Sequence, residues 1–184
     1  MVRSGLKLLV AIPALASGLL MAAELNVSPA TQSKVVATFK QAGVAVESPF
    51  TRFTGTISYD PQNVGASRAH ITVDTASLDV GDPAYNAEVA KQSWFDSATY
   101  PQGEFRSTSI KPLAANRFEA TGTLTIKGKA QSIVVPVSVA TTSAGSVFDG
   151  SFAISRRAFG IGDPSWDSVL EDKVLVKFHL VGGR

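Results

Sequence analysis

Apolar and polar residues alternate along most of this chain, most regularly between positions 117 and 140. Phe118, Ala120, Gly122, Leu124 and Ile126 fall on one side of an extended backbone, and Glu119, Thr121, Thr123, Thr125 and Lys127 on the other. A period of two predicts a strand. After Lys127-Gly128-Lys129-Ala130 the pattern resumes with Ile133, Val135, Val137 and Val139, so a hairpin with a short glycine-containing turn is expected. Pro136 lacks a backbone donor and puts an edge, a bulge or a rim in the second arm. Further strands are expected over 33–40, 50–59, 68–75, 103–111, 146–157 and 172–181. In the third of these Ala69, Ile71 and Val73 oppose Arg68, His70, Thr72 and Asp74. Residues 44–47 lead into Ser48-Pro49, where proline marks a break or an edge. Between 81 and 93 the texture turns helical: proline follows Asp82, and Tyr85 and Val89 stand at helical spacing. That helix delivers Trp94-Phe95 before Tyr100-Pro101 turns the chain back.

About eight strands with short connections and one helical insertion make an all-β antiparallel domain, either a sandwich or a closed barrel. Glycines at 55, 122 and 150 sit in mid-strand, where they permit sharp bending, and bending favours closure. The large side chains on the apolar faces are Phe39, Phe53, Ile71, Val73, Phe105, Phe118, Leu124, Ile126, Phe152, Ile154, Val176 and Phe178. They either fill a core themselves or surround a lumen.

Composition narrows the setting. Residues 1–23 combine Arg3 and Lys7 with an apolar run from Leu8 to Leu20 and the small residues Ala22-Ala23, the pattern of a secretory signal peptide cut before Glu24. The run is too short for a membrane anchor. Removing it takes two of 17 Lys+Arg and none of 15 Asp+Glu, leaving a formally neutral domain at 24–184 with no basic surface for nucleic acid. The chain has no cysteine, which excludes thiolate chemistry and thiolate metal sites.

Catalytic motifs do not emerge. The two histidines, His70 and His179, lie on the polar sides of their strands, where solvated residues are expected. Glu171-Asp172 and the Asp163/Asp167 pair are accounted for by turn capping and solvation. The reading is therefore not an enzyme, with no catalytic residue, no metal and no cofactor.

Several segments together carry a resemblance. Trp94-Phe95-Asp96 with Tyr100-Pro101 and Phe105-x-Ser107, then Thr121-Gly122-x-Leu124-Thr125-Ile126-Lys127-Gly128, then Phe152-x-Ile154-x-Arg156-x-x-Phe159-Gly160-Ile161 before Asp172-x-Val174 resemble the YceI-like family of bacterial periplasmic polyisoprenoid-binding proteins. The resemblance implies an eight-stranded antiparallel lipocalin-like β-barrel whose lumen holds an isoprenoid, isoprenoid quinone or similar long-chain amphiphile. It implies a periplasmic location and a hydrophobic small molecule as partner, and leaves a homodimer open. Relatives often carry a histidine in the first strand region, whereas Phe39-Lys40-Gln41-Ala42-Gly43 has none. Under this reading the apolar residues named above line the lumen, while Trp94, Phe95, Phe159 and Trp166 form its mouth or plug its end. Arg156 and Arg157 are candidates for meeting a phosphate head. The rivals are a ligand-free protein-interaction module and an enzyme acting on a bound lipid.

Overall fold

The computed structural model describes residues 23–142 and 145–182. Residues 1–22 of the expected signal peptide lie outside the described residues. The described residues form ten strands, two more than the alternation predicts: β1 (Ala23–Val27), β2 (Lys34–Gln41), β3 (Val44–Pro49), β4 (Phe53–Tyr59), β5 (Arg68–Asp74), β6 (Gln102–Ala114), β7 (Arg117–Ile126), β8 (Lys129–Thr142), β9 (Gly145–Ser155) and β10 (Lys173–Val181). One helix, α1 (Pro83–Val89), lies between β5 and β6. Asp82 caps it by accepting from the backbone N–H groups of Ala84 and Tyr85, and Pro83 occupies the first turn, where its missing N–H costs no hydrogen bond.

All ten strands join one antiparallel sheet in the order β1-β4-β5-β6-β7-β8-β9-β10-β2-β3. The order itself forces curvature. β1 and β2 are consecutive in the chain yet eight places apart in the sheet, about 38 Å if the sheet were flat at ~4.8 Å per strand. Seven backbone steps from Val27 to Lys34 reach at most about 25 Å. The sheet must curl until its two sides approach. Two contacts bear this out: a Cβ on Gly182, just after β10, would sit 2.7 Å from Leu25 of β1, and Phe50 bridges to Leu78 beyond β5. The ladder nonetheless ends at β1 on one side and β3 on the other, so the fold is a curled sheet rather than the closed eight-stranded barrel expected.

The Pro136 expectation is met in a particular way. β8 pairs with β7 along its length from Lys129 to Ser138, but with β9 only from Val137 onward. Proline thus stands where β8 parts from β9, and no ladder bond is lost there. Inward residues gather in two groups. One contains Leu25, Val27, Phe53, Ile57, Phe118 and Phe148; the other contains Trp94, Leu124, Phe159, Ile161 and Leu170.

Candidate functional site

The concave face of the sheet does not fill itself. It encloses a cavity of about 310 Å³, within the range of small-molecule sites. The walls come from the alternating residues of nearly every strand: Phe39 of β2, Ile71 of β5, Phe105 of β6, Phe118, Leu124 and Ile126 of β7, Phe152 and Ile154 of β9, and Phe178 of β10. Trp94, Phe95 and Trp166 also border it. Two of the expected residues do not. Phe53 and Phe159 are buried within the wall, Phe159 with no accessible surface, among neighbours that take up their whole side chains.

Gln41, Val46, Tyr85 and Glu88 line the cavity as well, and Gln41 and Tyr85 are exposed. The opening therefore lies between the β2–β3 hairpin and α1. Trp94 and Trp166 meet there edge to face, with ring centroids 5.9 Å apart at 68°, an arrangement favoured by the ring quadrupoles. Phe95 turns the other way and packs its ring edge-on against Phe50 at 6.3 Å. At the far end Tyr59 lies edge-on to Phe118 and Phe148, and burial pushes its phenol up from the ordinary value. Tyr59 is absent from the sequence expectations although its signal is present: it shares the inward side of β4 with Phe53 and Ile57.

Two cations hold the loop that follows β9. Arg156 is 3% exposed and donates to the carbonyl oxygens of Glu171, Ile161 and Leu170 and to the carboxylate of Asp167. Lys127 Nζ donates to the carbonyls of Gln92 and Gly160 at 2.7 and 2.8 Å, and burial lowers its ammonium from the ordinary range. Arg157 is half exposed and pairs with Asp167 and Asp172. The Arg156 guanidinium offered by the sequence as a phosphate ligand is thus committed to backbone carbonyls.

The carboxylates around this loop are similarly occupied. Asp163 accepts from the Ser165 N–H, Glu171 faces Lys40 at 3.6 Å, and Asp172 accepts from the Ser155 hydroxyl and the Arg157 N–H. Partial burial pushes the Asp172 carboxyl up, but those hydrogen bonds and the charges of Arg157 and Arg156 outweigh it and hold it below the usual carboxylate range. A depressed carboxylate adds stability above its unfolded value and loses it as pH falls through the folded one. Asp172→Asn should therefore flatten the decline of melting temperature below about pH 4. Parallel acid limbs for the two proteins in a pH series of thermal melts would remove Asp172 from that account.

His70 and His179 stand on the outer side of the sheet. His70 pairs with Glu104, which Arg106 also contacts. His179 Nδ1 lies 2.7 Å from Asp149 of the neighbouring strand. Each histidine belongs to a cross-strand surface pair, and the structure does not bring the two together.

This architecture has counterparts. A crystal structure of Burkholderia cenocepacia BcnA is 44% identical and superposes with a TM-score of 0.80, covering 83% of this chain and 97% of that one. A polyisoprenoid-binding domain from Saccharophagus degradans, implicated in plant cell wall breakdown, is 20% identical with a TM-score of 0.68, covering 88% and 98%. That similarity concerns the fold. Among curated sequences, a UPF0312 protein of Vibrio cholerae is 31% identical over 90 residues, 49% of this chain and 48% of its own length. Protein YceI of Escherichia coli O157:H7 is 29% identical over 86 residues, 47% and 44%. The chain spans about half the length of these curated relatives. The YceI-like domain model matches residues 26–182, from the middle of β1 to just beyond β10, and by that match the chain belongs to the YceI-like family.

Proposed function

We propose that this protein binds an isoprenoid or another long-chain amphiphile, without covalent chemistry, inside the curled sheet. The observation that carries the reading is the cavity of about 310 Å³ walled by Phe, Ile, Leu and Val side chains and opening between β3 and α1. Burying a methylene gains about 0.8 kcal/mol, so a five-carbon isoprene unit brings about 4 kcal/mol before ordering costs. Affinity then comes from the tail, and selection from cavity length and the mouth. The polyisoprenoid-binding relative from Saccharophagus degradans, similar in fold, supports the same ligand class. The basic, apolar and small-residue pattern of residues 1–23 supports action in the periplasm after export.

Organic extraction of the purified protein followed by mass spectrometry tests the proposal. A prenyl or long-chain lipid should be recovered, or taken up by the emptied protein. Repeated absence of any lipid together with no uptake of added prenyl alcohols would refute it. Turnover of the bound lipid on incubation would show an enzyme instead.

Ile126 gives a sharper test. It lines the cavity beside Gly103, where an added Cβ would lie 3.8 Å from the Ile126 side chain. Ile126→Trp adds bulk at that point and should shift uptake toward shorter tails, with long prenyl alcohols losing about tenfold or more in affinity as overpacking penalties of about 1–3 kcal/mol apply. Equal binding of long and short tails by the variant would show that tails do not pass this residue.

A further inference from the structure

Trp94 carries an unexplained group. The residue is 7% exposed and borders the cavity, yet its indole Nε1–H has no hydrogen-bond partner among the described residues. An indole N–H is a donor only, and leaving a buried donor unpaired costs about 1–3 kcal/mol. More than about nine in ten buried polar groups find a partner, so an unpaired one at the wall of a ligand cavity asks for an acceptor that comes with the ligand. Other donors on the wall are few: Gln41 and Tyr85 are exposed at the opening, Tyr59 lies at the far end, and the one guanidinium, on Arg156, is committed to three carbonyls and Asp167.

We infer that Trp94 Nε1 is the hydrogen-bond donor for an oxygen on the head of the bound amphiphile. The inference rests on the lipid reading above and adds the point at which the head is held. In the present conformation the N–H is covered. An oxygen reaches it when the edge-to-face pair of Trp94 and Trp166 rearranges, and both partners sit on short turns: Trp94 follows α1 and Trp166 ends the single turn Pro164–Trp166. Binding the head thus moves Trp166 and reshapes the opening beside Tyr85. The chemical class selected is an oxygen-headed tail, an alcohol, carbonyl or phosphate, over a pure hydrocarbon of equal length.

These two are the chain's only tryptophans, so the indole N–H signals of the ¹⁵N-labelled full chain report on them without ambiguity of number. Geranylgeraniol, geranylgeranyl phosphate and the matching hydrocarbon are titrated into the protein. The Trp94 N–H resonance should move downfield with the two oxygen-headed probes and stay near its starting position with the hydrocarbon. Trp94→Phe should weaken the alcohol about five- to tenfold more than it weakens the hydrocarbon, the net worth of one hydrogen bond. Binding of all three probes with no selective shift would overturn the donor role while sparing the lipid reading. A resonance already far downfield before any addition, and unmoved by it, would assign the N–H to internal water and equally overturn the role. Failure of every probe to bind would sink the lipid reading and this inference together.

Discussion

Gly150→Val is expected to destabilise the protein by about 3 kcal/mol or more, lowering the melting temperature by roughly 10 °C. Gly150 of β9 lies opposite Phe178 of β10 and Val137 of β8. A Cβ built on it would sit 2.4 Å from the Phe178 ring and 2.5 Å from the Pro136 carbonyl oxygen. The ring can rotate away, but a backbone oxygen in a paired strand cannot, and valine adds two more carbons to the collision. Displacing Phe178 also pushes a ring into the cavity, so ligand uptake should fall with stability. Gly65→Ala is the control: its nearest neighbours are 3.9 Å or more away, and the change should stay within about 0.5 kcal/mol. The double variant Gly150→Val with Phe178→Leu separates the two obstacles, because recovery of stability there identifies the ring as the larger one. Melting of Gly150→Val within about 2 °C of the parent would disprove this account of the site.

The same glycine shows how far the sequence can be read. Mid-strand glycines at 55, 122 and 150 suggest bending, and their positions on the inward side are legible from alternation with Phe53, Leu124 and Phe152. The structure adds a packing role to that one. Side chains of the adjacent strand lean over each one: Ile71 over Gly55, the Phe105 ring over Gly122 and the Phe178 ring over Gly150. Period-two patterning reports which side a residue faces, but it says nothing about which neighbour crosses over it. The hairpin of β7 and β8, the helix after Asp82 and the outward histidines follow from local rules, and the structure contains them. β1 escapes a reading by alternation because it has only Leu25 and Val27 as inward apolar residues, 4% and 1% exposed, immediately after the expected cleavage point. β3 escapes it because Pro49 ends the strand and the side that turns Val46 and Ser48 inward leaves Val44, next to the turn, 66% exposed, so burial along it does not follow the alternation. The curl of the sheet depends on pairing between distant strands, which no window of local sequence contains.

Among the candidate site residues, the wall is legible; Phe53 holds an inward strand position but is buried in the core group beside the cavity, and the other deviation has a local cause. Phe39, Ile71, Phe105, Phe118, Leu124, Ile126, Phe152, Ile154 and Phe178 border the cavity because each lies on an inward strand position. Phe159 sits in a loop, where periodicity gives no direction, and the loop folds it under Leu124, Ile161 and Leu170. Arg156 is likewise ambiguous in sequence. A charge beside an apolar run can be a rim residue or a buried clamp, and only the acceptors around it decide.

Those acceptors make Arg156→Met the second large effect. The variant should lose about 3–5 kcal/mol of stability, with a melting temperature lower by roughly 10 °C. Arg156 joins β9 to the loop before β10 through its Nε, Nη1 and Nη2 groups, and its own backbone N–H donates to the Asp172 carbonyl. Methionine fills much of the volume but leaves the carbonyls of Ile161 and Leu170 without their donor, each such loss costing about 1–3 kcal/mol where water cannot replace it. Arg156→Lys keeps the charge but concentrates it at one nitrogen, which cannot span acceptors that a planar fork reaches together, so it should recover only part of the loss. Because the clamp holds the segment bearing Trp166 and Leu170, amide exchange across 159–171 should accelerate in Arg156→Met before the rest of the sheet is affected, and bound lipid should leave faster. A head-group role predicts another outcome: unchanged melting and exchange, with weakened binding confined to phosphate-headed probes. That result would replace the clamp with a ligand-binding arginine, and the loop would then need a different explanation for its order.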